Sequence, residues 1–222
     1  RIKLTGGGDG DTRWRAAFSA YRGRMGEPGG LTAARFAADR RDGSQSFDRV
    51  FINRIAGSAG LVHTLNDTVI EARVWTSWFE RTSRRQPGGG FGTPKPANGV
   101  SNVQTQIFWQ FGGDLRARHD AELGGTPVTF TAGTMVLRTK SPVRVNKGIS
   151  PTDDEGLAGA LSRTERFSTV GALFGEALVD FGALKLAPGV RFVRIHQSVR
   201  EQLDLGFGSN TGGGPGAPNG PL

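Results

Sequence analysis

Residues 103–118 read VQTQIFWQFGGDLRAR and separate by parity into two series. Val103, Thr105, Ile107, Trp109, Phe111, Gly113, Leu115 and Ala117 take the odd positions. Gln104, Gln106, Phe108, Gln110, Gly112, Asp114, Arg116 and Arg118 take the even ones. A period of two is a β-strand with one oily and one wet face. In a soluble sheet the oily face packs on a core. In an outer-membrane barrel it touches lipid, and the wet face lines a lumen. Residues 68–84 repeat the pattern, with Ile70, Ala72, Val74, Thr76 and Trp78 against Glu71, Arg73, Trp75, Ser77 and Phe79. Trp14, Ala16, Phe18 and Ala20 alternate in the same way with Arg13, Arg15, Ser19 and Tyr21.

Further strand-like segments occupy 48–60, 128–140, 165–181 and 184–204, beside 12–22, 68–84 and 103–118, and residues 1–5 look like the end of another. Pro188 breaks 184–204 and fits a strand start or a bulge. The connections sort by length along the chain. They run long (23–47), short (61–67), long (85–102), short (119–127), long (141–164), very short (182–183) and long (205 onward), with GGGDGD at 6–11 a further short one. Strict alternation is what a barrel with short periplasmic turns and long extracellular loops requires. A soluble sandwich has no reason to sort its loops by end. Several segments also exceed the usual 5–6 residues of a globular strand and reach the roughly 9–11 that span a bilayer at a tilt. Trp78, Trp109 and Phe111 lie on the oily parity, where aromatic rings anchor strands at a membrane interface. The expected fold is therefore all-β, an antiparallel transmembrane β-barrel, with about 7–8 strands of a larger barrel in this chain.

Composition agrees. The 222 residues include 35 Gly and 11 Pro, which suits many turns and long loops, and no Cys, which removes disulfides, Cys-based metal sites and a Cys nucleophile. The net charge of +8 is spread over every segment instead of being gathered on one helix, which argues against a nucleic-acid partner. No run of 18 apolar residues marks a transmembrane helix, and a barrel needs none.

Four stretches carry a more specific signal: GEPGGLTAARFAAD (26–39), FDR (47–49), RRQPGGGFGT (84–93) and LKLAPGVRFVRIHQSVRE (184–201). Together they resemble the barrel of TonB-dependent outer-membrane receptors, most of all the ferric-citrate branch, in order and over nearly the whole chain. The resemblance implies a barrel of about 22 strands around an N-terminal plug. It also implies a Gram-negative outer-membrane location, uptake energised through TonB, and an iron chelate as cargo with no resident cofactor. No plug, TonB-contacting box or C-terminal strand ending in an aromatic residue is found in the sequence. Residues 1–222 are thus expected to be an internal part of the barrel domain, from its first half.

With strand 68–84 rising toward the outside and 103–118 descending, Arg81, Ser83 and Arg85 face the lumen near the outer mouth, with Gln104 and Gln106. Arg84 and Gln86, and Arg24 and Arg35 in the loop at 23–47, are expected to close over the cargo. Ferric citrate and ferric siderophores are anionic, and guanidinium and amide donors bind such oxygens by charge-assisted hydrogen bonds. The bland alternative is that these arginines solvate the lumen, pair with plug carboxylates or bind lipopolysaccharide phosphates. Glu71, Arg73, Asp114, Arg116 and Arg118 fall toward the periplasmic end, where ion pairing is expected.

Catalytic patterns are missing from the sequence. His63, His119 and His196 are far apart, and serines sit in no nucleophile-elbow context. PTDDEG (151–156) lacks the alternating spacing of a calcium loop and reads as a solvated acidic turn. GGGDGD occurs once, and RRQPGGGFGT lacks the GK[ST] of a phosphate loop. The rivals to a transporter are a soluble secreted β-sandwich binding module, in which Ile107, Trp109 and Phe111 would lie buried between sheets, and a small passive eight-stranded barrel.

Overall fold

The computed structural model describes residues 1–7, 10–27, 29–43, 45–87 and 95–205. Nine strands form one antiparallel sheet: β1 (Ile2–Gly6), β2 (Thr12–Gly26), β3 (Arg49–Leu65), β4 (Thr68–Arg85), β5 (Asn102–Leu123), β6 (Thr126–Lys147), β7 (Gly159–Asp180), β8 (Lys185–Leu186) and β9 (Gly189–Asp204). Neighbours in sequence are neighbours in the sheet, except that β8 and β9 both pair with β7. A six-residue helix α1 (Ala33–Ala38), capped by the Thr32 side chain, interrupts the first long connection.

The strands run further than the alternating pattern does. β5, β6 and β7 each have 22 residues, so the ladder continues past the apolar stretch into polar sequence, and the connections shrink accordingly. Gly124 and Gly125 alone join β5 to β6, with φ of 61° and 81°. Only glycine takes two successive left-handed positions without strain, and that pair matches the twist of a hairpin. Asn66, at φ 50°, opens the equally short β3–β4 turn. The alternation of short turns at one end of the sheet with long loops at the other (27–48, 86–101, 148–158) holds through β7. Pro188 immediately precedes β9, and its carbonyl accepts from Ala177. The segment from 206 onward, all of GGGFGT and part of GGGDGD lie outside the described residues.

Cross-strand partners share a face, so the register carries the parity across the sheet. One row runs Trp14, Leu61, Ala72, Leu115, Thr134, Leu173, Phe192. The next row on the opposite face runs Arg15, Gly60, Arg73, Asp114, Met135, Ala172, Val193. Glycine lets large rings lie flat on the polar side: a Cβ on Gly112 would come within 2.4 Å of the Trp75 indole. Trp78 and Trp109 meet edge to face on the apolar side at 6.5 Å.

Among the described residues no second layer covers the apolar face; strands contact their sheet neighbours. The buried apolar residues among those described are five small ones, Val50, Val103, Val128, Val145 and Ala172. Trp109 is 54% and Phe111 61% exposed. A sandwich core would have buried both, and soluble monomers rarely leave large contiguous apolar patches in water. No helix among the described residues is long and apolar enough to cross a membrane.

Candidate ligand-binding mouth

At the long-loop end, the polar face brings β4 and β5 residues into register: Arg81 opposite Gln106, Ser83 opposite Gln104, Arg85 opposite Asn102. Glu27, from the first long connection, reaches over them. Its carboxylate accepts from Arg85 Nε at 2.6 Å and Nη2 at 2.8 Å and lies 3.6 Å from Arg81 Nη2. The Arg85 hydrogen bonds hold the Glu27 carboxyl below its ordinary range, helped by the charges of Arg85, Arg81 and Lys95 and opposed by partial burial. Two guanidiniums share one carboxylate, so this corner keeps one positive charge in excess beside two amide side chains. Such a set binds anionic oxygen. Glu27 escaped the sequence reading, since a single carboxylate in a loop has no periodic signature.

The remaining candidates go elsewhere. Arg24 belongs to β2, not to a loop, and takes the apolar parity, stacked 5.1 Å from the Phe51 ring. Strand extension past residue 22 is what moves it there. Arg35 lies in α1 and is tied to Asp42, Nε to Oδ2 at 2.8 Å. Arg84 falls on the face opposite Arg81 and Arg85, with its side chain 5% exposed. It donates to the carbonyls of Phe47 and Thr152 at 2.8 Å each, and to the Asp154 carboxylate. Gln86 is buried; its side-chain amide donates to Pro96 O at 2.8 Å. The structure thus gathers Arg81, Arg85, Gln104 and Gln106 on one surface and draws Arg84 and Gln86 into loop packing.

That packing is a polar latch beneath the three long loops. Asp48 is fully buried, accepting from Gln86 N at 3.0 Å and Lys95 Nζ at 3.1 Å. Ser101, equally buried, donates to Asp153 O at 3.0 Å. PTDDEG is not a solvated turn. Asp153 is buried, and although burial raises its carboxyl, the backbone N–H groups of Leu157, Ile149, Glu155 and Gly156 bring it down to about 2. Its neighbour Asp154 pairs with Arg84 across 70 residues of chain. The depressed carboxyls of Glu27 and Asp153 stabilise the loops at pH above their usual values of 4.5 and 3.8, and that contribution is lost as pH falls toward about 2. The protection of the amides of residues 148–158 against hydrogen exchange, relative to the intrinsic rate at each pH, should therefore fall between pH 5 and pH 2, while the β5–β6 ladder stays protected. Loops that keep their protection at pH 2 would refute the latch.

At the short-turn end the polar face carries charges of both signs. Arg73 donates twice to Asp114 Oδ2, at 2.9 and 2.7 Å, as ion pairing at this end required. Arg118 pairs with Asp120. A cavity of about 700 Å³ opens here, lined in part by Arg13, Arg15, Glu71 and Arg116. Among the described residues no group of His, Asp or Glu is arranged to hold a metal.

The architecture has a solved counterpart. The sheet superposes on the crystal structure of the ferric citrate transporter FecA in its unliganded form, with a TM-score of 0.75. The fold is that of an outer-membrane barrel. Sequence identity to that transporter is 17%, and the match covers 86% of this chain. The chain spans 28% of the transporter chain's length. No family model and no curated protein matches the sequence.

Proposed function

We propose that residues 1–222 are part of the transmembrane wall of a TonB-dependent transporter in a Gram-negative outer membrane, importing an anionic ferric chelate such as ferric citrate or another siderophore. The observation that carries this reading is the uncovered apolar face on a single long-stranded sheet, with Trp109 and Phe111 open. That face meets acyl chains, and the polar face borders the lumen. The likeness to a ferric citrate transporter supports a barrel of transporter type. The plug, the remaining strands and the contact with TonB belong to the rest of a longer protein, and the iron is cargo, not cofactor.

At the mouth, Arg81 and Arg85 supply the charge and Gln104 and Gln106 the amide donors. Glu27 holds the guanidiniums in place and yields part of their donor capacity to the arriving anion. The test is uptake of radioiron-labelled ferric citrate by cells making the full-length protein. Arg81→Ala is expected to raise the concentration for half-maximal uptake roughly tenfold, the loss of one charge-assisted hydrogen bond. Gln106→Ala should cost less, as a neutral donor does. Unchanged uptake in the Arg81→Ala, Arg85→Ala double variant would remove this site. Recovery of the protein in the soluble fraction would remove the transporter itself.

A further inference from the structure

Below the mouth, the polar face changes chemistry from one row to the next. The row that carries Arg81 and Gln106 continues through Ile52 to Gly23 on one side and through Val143 on the other. The next row toward the short turns runs Tyr21, Arg54, Phe79, Phe108. Between the pairs Gln106–Val143 and Trp109–Lys140, Ser141 takes the place opposite Phe108, and Arg166 is the partner of Ser141. The row after that is small and polar, with Ser19, Ala56, Ser77, Gln110 and Thr139. Three rings and two guanidiniums thus share one level, directly beneath the charged and amide groups of the mouth.

Two other rings on this face are taken up by the protein itself. Trp75 and Phe174 lie where a Cβ on Gly112 or Gly133 would come within 2.4 or 2.6 Å of them. Arginines cover both, Arg73 at 5.1 Å from Trp75, and Arg116 and Arg191 at 5.7 and 5.9 Å from Phe174. Phe79 and Phe108 differ. Their rings meet each other at 5.8 Å and 46°, both half-buried, with no cation stacked on either among the described residues. Tyr21 is exposed and lies along its strand, its hydroxyl above Gly23, where an added Cβ would come within 2.5 Å of it. That aims the phenol at the level of Arg81. The cations of the row are open as well. Arg81 and Arg85 share Glu27, but Arg54 and Arg166 are exposed and have no carboxylate among the described residues. They stand four strands apart, about 19 Å along the sheet, which leaves room for a chelate between them. A cavity of about 470 Å³ continues below Arg54, lined in part by Ser77, Trp75 and Gln110.

Ferric citrate makes poor use of such a row. It is a hydrophilic anion without aryl surface, and it gains little by drying Phe79 and Phe108. A chelate with aromatic arms gains in two ways. Its rings stack on the phenylalanines, and its phenolate oxygens accept from the guanidiniums. A guanidinium also lies favourably over an aryl face. We infer that Tyr21, Arg54, Phe79, Phe108 and Arg166 form an aryl-recognition floor beneath the mouth, and that the preferred cargo is a ferric catecholate, whose ortho-dihydroxyphenyl arms hold the iron. This deepens the reading of the lumen as a path for an anionic ferric chelate and rests on it.

The experiment uses the full-length protein, purified in detergent and shown to be folded by its heat-dependent electrophoretic mobility. Binding of radioiron is measured by equilibrium dialysis, with the metal held by a tris-catecholate or by citrate. The catecholate complex is expected to half-saturate the protein at a concentration roughly tenfold lower than ferric citrate. Phe79→Leu with Phe108→Leu should weaken the catecholate roughly tenfold and leave ferric citrate unchanged, because apolar volume stays and only the rings go. Arg54→Gln, which removes an anion-binding group, should weaken the catecholate too. Arg13→Gln, on the same face at the short-turn end, should leave both complexes bound as before. Equal half-saturation by the two complexes, or an undiminished preference in the folded leucine variant, overturns the proposal and leaves ferric-chelate uptake standing. Binding of neither complex removes both readings. Should the leucine variant not fold, Phe79→Tyr with Phe108→Tyr replaces it. Keeping its rings, that pair should still favour the catecholate, and loss of the preference overturns the proposal.

Discussion

Phe111→Arg is expected to destabilise the barrel by about 2–4 kcal/mol in a bilayer, while Gln110→Arg one residue away changes stability by a few tenths. Phe111 lies midway along the apolar parity of β5, between Ile107 and Leu115, and is 61% exposed with no protein over it. A guanidinium there must lose its water or drag water into hydrocarbon. Gln110 points the other way, toward Ser77 across the strand pair and the space between β2 and β5. Urea titration of the full-length protein folded into lipid vesicles measures both. In detergent the gap should narrow, because a micelle admits water more readily. Equal costs at the two positions would mean that the faces have been assigned to the wrong solvents.

Asp48→Ala is expected to cost about 3–5 kcal/mol, a loss large enough to unfold the long-loop end without opening the sheet. The Asp48 and Lys95 side chains are 1% and 7% exposed. Removing the carboxylate strands the Lys95 ammonium in a site closed to water and leaves the Gln86 N–H without its acceptor. Lys95 also donates to Gln86 O at 2.5 Å, so part of its solvation survives and the lower end of the range is expected. Proteolysis after Lys95 should become rapid in the variant. Asp48→Ala with Lys95→Met, which removes both charges, should recover most of the loss, because the stranded charge dominates. A double variant no better than the single one would show that the hydrogen bonds, not the ion pair, hold the latch.

The latch and the mouth were legible in the sequence to different degrees. Arg81, Arg85, Gln104 and Gln106 could be placed together from parity alone, since a period of two assigns every residue of a strand once one is fixed. Arg24 was misplaced because the oily pattern ends near residue 22 while the ladder continues to Gly26. A strand edge outside the apolar band still satisfies its backbone by pairing, whatever its side chains are. Arg84 and Gln86 stand beside the mouth residues in sequence yet serve the loops. Nothing local marks that difference, because their partners Phe47, Thr152, Asp154 and Pro96 lie 10 to 70 residues away. The buried role of Asp153 was hidden for the same reason. Its four donors are backbone N–H groups, and those carry no residue identity.

By itself, then, the sequence determined the sheet: its strands, its alternation of turn and loop, and which side of each strand is apolar. Those follow from the geometry of an extended chain, where side chains alternate whatever the rest of the molecule does. Tertiary structure decided which charges remain available. Glu27 bridges Arg81 and Arg85, Asp154 takes Arg84, and Arg138 and Arg194 are left without a carboxylate among the described residues. Ion pairs close over distances in the chain that periodicity cannot reach, and burial fixes which of them water can replace.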